Sequence, residues 1–165
     1  MSDDTRLANR PSAWWAARVA AGFIAGFLAV LVFHQLMLGL LHVAGIAPDA
    51  PYAMQPTAPL GVPRVFSLAF WGGLWGVALA VVLSRIAGRP GYWLTALLFG
   101  ALGPSVVNWL VVLPLKGQPL GGGWHLAGIV TALLVNAAWG IGAAVILSRA
   151  PTRRRPGGAG ATARA

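Results

Sequence analysis

The chain alternates between long runs of apolar residues and shorter polar connections. Four runs, at about 19–41, 65–83, 92–113 and 126–147, contain no Asp, Glu, Lys or Arg. A helix of about 20 residues rises far enough to cross the ~30 Å hydrocarbon core of a bilayer. A helix on the surface of a soluble domain would carry polar residues along one face, whereas these runs are apolar all round. The pattern predicts an all-α integral membrane protein with four transmembrane helices.

These runs divide the chain into three parts. Residues 1–18 are predicted to form a cytoplasmic N-terminal segment, residues 19–149 a four-helix membrane domain, and residues 150–165 a basic cytoplasmic tail. The tail is poor in apolar bulk and is predicted to be disordered. The first run is longer than the ~7–15 apolar residues of a secretory signal, so we expect it to remain in the protein as an anchor.

The charges predict the orientation of the helices. The chain has twelve Lys and Arg residues but only three Asp. Ten of the twelve basic residues lie before the first run, between the second and third runs, or after the fourth. Cytoplasmic segments are enriched in Lys and Arg, so both termini are predicted to be cytoplasmic and the other two connections to lie outside. The abundance of Arg, Ala and Gly favours a bacterial inner membrane. The basic residues expected to fix topology, or to attract anionic lipid, are Arg18, Arg85, Arg89, Arg149, Arg153, Arg154 and Arg155.

The second and fourth runs end in similar sequences. Residues 75–85 read WGVALAVVLSR and residues 139–149 read WGIGAAVILSR, and seven of the eleven positions are identical at an offset of 64 residues. The first and third runs align more weakly at an offset of 74, which places His34 opposite Asn108. We interpret the chain as a duplicated two-helix hairpin whose copies enter the membrane in the same sense. The alternative is that the two apolar helices have identical residues at these positions only because their compositions are similar.

Every run also contains a pair of small residues four positions apart. Such pairs allow helix backbones to approach closely in lipid, and they predict a compact bundle. They are typical of contacts within one subunit, although four short helices bury little alone and a homodimer is also compatible. The residues expected to pack helices together are Gly22, Gly26, Gly72, Gly76, Ala96, Gly100, Ala138 and Gly142.

Few polar side chains lie inside the runs, and each requires a hydrogen-bonding partner in hydrocarbon. With the topology above, several fall between the membrane centre and the outer face. One interpretation is a polar pocket, open to the outside, that binds a small neutral or anionic ligand. The other is a set of hydrogen bonds that join helices, worth about 0.6 kcal/mol each. The candidate ligand-binding residues are His34, Ser105, Asn108, Thr131 and Asn136.

The composition narrows the chemistry. The chain has no Cys and no Glu, and its three Asp residues lie outside the runs, so we expect no catalytic residue, no bound metal and no cofactor. The net charge of +9 is accounted for mainly by topology and does not imply nucleic-acid binding. The expected partners are the lipid bilayer and a second copy of the chain or another membrane protein.

Two functions follow from these expectations. The first is a small non-catalytic component of a bacterial inner membrane, such as an accessory subunit or assembly factor, that acts through its helix bundle and outer loops. The alternative is a small channel or facilitator that works as a homodimer with a polar pocket in the outer half of the membrane.

Overall fold

The part of the chain that the structure describes is mostly helical. The structure, a computed structural model, describes residues 10–149. Four helices in this part of the chain are long and apolar enough to cross a membrane, which confirms the predicted number. We call them spans 1 to 4, and they cover Trp14–Val43, Arg64–Arg85, Tyr92–Leu115 and Leu126–Arg149.

The spans extend beyond the predicted apolar runs. The helix that contains span 1 already begins at Arg10, inside the segment predicted to precede the membrane domain. A run of apolar residues indicates only the part of a helix that fits the hydrocarbon core. The helical hydrogen bonds continue beyond it into the headgroup region of the membrane. The predicted tail, with Arg153, Arg154 and Arg155, lies outside the described residues.

Spans 1 and 3 are each interrupted by a short π-helical segment. Span 1 consists of α1 (Arg10–Ala29), a π-helix at Val30–His34 and α2 (Gln35–Val43). Spans 2 and 4 are continuous α-helices. They are α3 (Arg64–Arg85) and α6 (Leu126–Arg149).

Span 3 has the same kind of construction as span 1. It consists of α4 (Tyr92–Val107), a π-helix at Asn108–Val112 and the single turn α5 (Leu113–Leu115). Pro104 lies inside α4, where it removes one backbone donor. A π-helical turn adds one residue per turn and is found frequently at functional positions.

The connections carry little regular structure. The connection between spans 1 and 2 contains a two-stranded antiparallel sheet of β1 (Pro56–Thr57) and β2 (Val62–Pro63). The Thr57 hydroxyl donates to the Val62 carbonyl oxygen at 2.7 Å and reinforces this sheet. The connection between spans 3 and 4 contains a short turn at Leu120–Gly123.

Spans 1 and 2 pack closely because glycines face each other at their crossing. A Cβ atom added at Gly26 would collide with the Gly72 carbonyl, and one added at Gly76 would collide with the Gly22 carbonyl. With no side chain between them, the two backbones are in direct contact. The predicted packing role of these four glycines therefore has a structural basis.

Spans 3 and 4 form a second close crossing of the same kind. A Cβ atom at Gly100 would lie 2.6 Å from the Asn136 carbonyl oxygen, and one at Gly140 would collide with the Ala96 carbonyl. The two hairpins then pack together mainly through spans 1 and 4. The main buried cluster draws on all four spans, and its largest members include Leu79 and Trp139.

Candidate functional site

The polar side chains of spans 3 and 4 meet at Ser105. The Asn136 side-chain amide donates to the Ser105 hydroxyl oxygen at 2.9 Å, and that hydroxyl donates to the Ala132 carbonyl oxygen at 3.3 Å. Ser105 is fully buried, so both bonds lie away from lipid. Two of the five candidate residues are thus brought together, and they join one helix to its neighbour.

Thr131 has a different environment. Its hydroxyl oxygen is buried and has no hydrogen-bond partner among the described residues. A buried hydroxyl without a partner is destabilising. Thr131 therefore contributes no hydrogen bond to the contact between Ser105 and Asn136.

A second polar contact ties the connection between spans 1 and 2 to span 1. The side-chain oxygen of Gln35 accepts the Tyr52 backbone N–H at 2.7 Å, and the Tyr52 hydroxyl donates to the Leu31 carbonyl oxygen at 2.9 Å. Leu31 and His34 belong to the π-helical segment, and Gln35 follows it directly. Tyr52 adopts a left-handed backbone conformation, with φ at 55°, to make both bonds. We call this arrangement the Tyr52 latch, consisting of Leu31, Gln35 and Tyr52.

His34 and Asn108, which the sequence alignment pairs, lie at opposite ends of their π-helical segments. His34 ends one π-helical segment and Asn108 begins the other. The His34 ring contacts the Gln35 side chain at 3.4 Å, but within residues 10–149 no hydrogen bond joins His34 to Asn108 or Asn136. Of the five candidate residues, only Ser105 and Asn136 are joined to each other by a hydrogen bond within the described chain.

Trp139 makes the deepest hydrogen bond between the hairpins. Its indole N–H donates to the Gly26 carbonyl oxygen at 2.9 Å, and the residue is only 2% exposed. The corresponding residue of the other hairpin, Trp75, packs against Phe99 of span 3 with ring centroids 5.8 Å apart. Each of these tryptophans thus reaches from one hairpin to the other.

The two predicted packing residues of span 4, Ala138 and Gly142, are not the residues that face span 3 at the close crossing. Gly140, rather than Ala138, faces span 3 at the close crossing. A Cβ atom at Gly142 would meet the Phe33 ring, so Gly142 faces span 1 instead. Ala138 is half-buried.

The basic residues of the described chain concentrate at one end of the bundle. Arg18 donates to the Ala80 carbonyl oxygen at 3.2 Å, and its guanidinium lies 4.6 Å from the centroid of the Trp14 ring. Arg85 and Arg149 end spans 2 and 4, and Arg89 follows Arg85 in the connection.

The opposite end of the bundle contains an exposed ion pair in the connection between spans 1 and 2. Arg64 and Asp49 are 2.8 Å apart, and about half of each side chain is exposed. Exposed ion pairs contribute little to stability, up to about 1 kcal/mol. This pair therefore orients the connection more than it stabilises the fold.

The connection before span 4 forms a left-handed turn. Gly121, Gly122, Gly123 and Trp124 all have positive φ angles, which only glycine adopts readily. The turn folds the Trp124 ring over Gly121 and places it 5.8 Å from the Trp109 ring, measured between centroids. Three glycines in succession thus serve to position an aromatic side chain.

The chemistry available to these groups is hydrogen bonding. Within residues 10–149, no group of three His, Cys, Asp or Glu side chains is placed to hold a metal ion. Sequence reasoning did not single out Gln35, Tyr52 or Trp139 as interacting residues. Gln35 was detectable as the polar neighbour of His34, and Trp139 as the first residue of the repeated sequence.

Comparison with protein-family models, with curated proteins and with solved structures finds no match to this chain.

Proposed function

We propose that this protein is a small non-catalytic component of a bacterial inner membrane, an accessory or assembly factor that acts through its helix bundle and outer loops. The observation that carries the proposal is the use of the intramembrane polar groups. Gln35, Ser105, Asn136 and Trp139 all form hydrogen bonds within the chain. Ser105, Asn136 and Trp139 join one helix to another, and Gln35 holds a connection against span 1. These four groups therefore stabilise the fold and are not available to hold a solute.

We propose that the protein acts through the connection between spans 1 and 2, which we call the outer connection. The Tyr52 latch holds one part of this connection against span 1, and backbone hydrogen bonds from Arg64 to Gln55 and from Val65 to Ala53 hold another part at the start of span 2. Leu60, at the tip between β1 and β2, remains 83% exposed. A connection with a fixed shape and an apolar tip is suited to contact a partner protein.

The proposed location follows from the charges. Arg18, Arg85, Arg89 and Arg149 at one end of the bundle support cytoplasmic termini. Alkaline phosphatase fused after Lys116 is expected to be active, and the same enzyme fused after Arg89 is expected to be inactive. The reverse result would overturn this topology and would place the outer connection in the cytoplasm.

We further infer that the chain arose by duplication of a helical hairpin. The crossing of Gly26 with Gly72 and Gly76 has a counterpart at the aligned position in the second hairpin, where Gly100 meets Asn136 and Gly140. The offsets that align the sequences also align these crossings. Residues that are aligned in the two hairpins thus make the same kind of helix crossing. Similar composition alone would not produce this correspondence, so it supports duplication.

The main test is a crosslinking experiment in the native host. A photoreactive amino acid at Leu60 is expected to crosslink one discrete protein, whereas the same probe at Leu98, on the exposed face of span 3, serves as a lipid-facing control. Disruption of the latch by Gln35→Leu is expected to reduce the yield at Leu60. Equal products from both positions, or no product from Leu60, would contradict the proposal.

The alternative function is a small channel or facilitator that works as a homodimer. It is favoured by the π-helical segments at His34 and Asn108, because such segments are frequent at functional positions. Purified protein in liposomes distinguishes the two functions. The accessory function predicts no flux of ions or small solutes above that of empty liposomes. The facilitator function predicts a flux that His34→Leu or Asn108→Leu abolishes.

A further inference from the structure

A groove lies between spans 1 and 4 at the end of the bundle where the arginines are concentrated. It has a volume of about 300 Å³ and is lined by Ala21, Ile24, Ile146, Leu147 and Arg149. We call it the end groove. Its lining is aliphatic along the two helices, and Arg149, the last residue of span 4, provides its charged group.

The Arg149 side chain differs from that of Arg18 at the same end of the bundle. Arg18 is engaged by the Ala80 carbonyl and the Trp14 ring. Within residues 10–149, no hydrogen bond or ion pair of the Arg149 side chain is present. The one carboxylate in that part of the chain, Asp49, pairs with Arg64 in the connection at the other end of the bundle.

We propose that the end groove binds one anionic phospholipid, with an acyl chain along the aliphatic lining and the phosphate at Arg149. A guanidinium matches the geometry of a phosphate because it donates two parallel hydrogen bonds. Arg149 ends an apolar helix that is long enough to cross a bilayer, which places its side chain at the depth of the lipid headgroups. The charge of Arg149 selects an anionic lipid over a zwitterionic one. This inference does not rest on the proposed function.

The repeated sequence supplies a matched control for this site. Arg85 ends span 2 in the same Leu-Ser-Arg sequence that ends span 4, and both arginines are exposed. Only Arg149 of the two lines the end groove. A general attraction of basic residues to anionic membranes would act on both arginines, whereas a site at the end groove depends on Arg149.

The test is native mass spectrometry of the full chain released from nanodiscs that contain equal amounts of phosphatidylglycerol and phosphatidylcholine. The wild-type protein is expected to retain phosphatidylglycerol preferentially. Arg149→Gln is expected to reduce that retention about fivefold, and Arg85→Gln to leave it unchanged. Equal losses in the two variants, equal retention of both lipids by the wild type, or full retention in Arg149→Gln would each overturn the proposal.

A second variant tests the aliphatic part of the groove without changing charge. Ala21→Leu places extra bulk in the end groove and is expected to reduce phosphatidylglycerol retention, whereas Ala78→Leu, at an exposed position of span 2, is the control. Retention that survives both Ala21→Leu and Arg149→Gln would mean that phosphatidylglycerol is bound elsewhere on the protein and not in the end groove. The lipid proposal would then be wrong.

Discussion

The indole N–H of Trp139 and the carbonyl oxygen of Gly26 are joined by a 2.9 Å hydrogen bond between residues 113 positions apart. This bond links the last span to the first and lies in the buried centre of the bundle. A helical carbonyl oxygen that is bonded within its own helix still has a second lone pair, and Gly26 uses its carbonyl oxygen to accept the indole N–H. The same small residue thus permits both the close crossing with span 2 and the bond to span 4.

The bond predicts that Trp139→Phe destabilises the protein more than Trp75→Phe. Trp139→Phe removes a buried hydrogen bond and leaves a small cavity, for an expected loss of about 1–2 kcal/mol in the free energy of unfolding. The Trp75 ring is half-buried, and within the described chain its indole makes no hydrogen bond. Its replacement is therefore expected to lower the free energy of unfolding by less. Unfolding of both variants in mixed micelles measures the difference. Equal losses would show that the hydrogen bond contributes nothing.

The crossing of spans 1 and 2 predicts a severe effect of a single methyl group. Gly26→Ala drives Cβ into the Gly72 carbonyl, so the helices must separate, at an expected cost of about 1–3 kcal/mol. Gly128→Ala is the control, because a Cβ at that position of span 4 meets nothing within 4 Å. Alanine is there expected to be neutral or stabilising by up to about 1 kcal/mol. Similar stabilities for the two variants, measured in micelles, would refute the close crossing.

The Tyr52 latch predicts a local change in amide exchange. Gln35→Leu removes the acceptor of the Tyr52 N–H, so that amide is expected to exchange roughly threefold to tenfold faster with deuterium. Gln55→Leu, in the same connection but with an exposed side chain, is expected to leave it unchanged. Hydrogen exchange followed by mass spectrometry reports both. If the rate at Tyr52 did not respond to Gln35→Leu, the latch would not hold the connection in solution.

The contact between Ser105 and Asn136 is testable by a double-mutant cycle. Ser105→Ala, Asn136→Leu and the double variant are expected to give a coupling energy of about 0.6 kcal/mol, the average for hydrogen bonds between membrane helices. Thr131→Val is the control, because it removes a hydroxyl without a partner in the described chain and is expected to be neutral or stabilising. A coupling energy of zero would indicate that the two side chains do not interact.

The four helices could be predicted from the sequence because length and polarity decide them directly. An uncharged run of about 20 residues has few other stable forms in a bilayer. The close crossings were predicted in part. Ala138 and Gly142 fit the pattern of two small residues four positions apart better than Asn136 and Gly140 do. The structure nevertheless places Asn136 and Gly140 against span 3. The face of span 4 that packs against span 3 depends on the rotation of the helix about its axis. The positions of small residues in the sequence do not specify that rotation.

The arrangement of the polar groups was less predictable. Ser105 and Asn136 lie on spans that are neighbours in a hairpin, so the short connection brings their helices together but does not specify that these two side chains meet. The Tyr52 latch depends instead on a π-helical turn and on a positive φ angle at a tyrosine. Both are locally unfavourable states that tertiary contacts stabilise, and local sequence preferences therefore point away from them.

The pairing of consecutive spans has a consequence for how the protein is made. Each tight glycine crossing joins segments that leave the ribosome one after the other, so the first hairpin has all of its crossing residues before the second hairpin is synthesised. The bond between Trp139 and Gly26 must wait for the final span. A nascent chain that stalls before Trp139 therefore holds its first two spans already paired, while the Gly26 carbonyl oxygen still lacks the indole N–H of span 4.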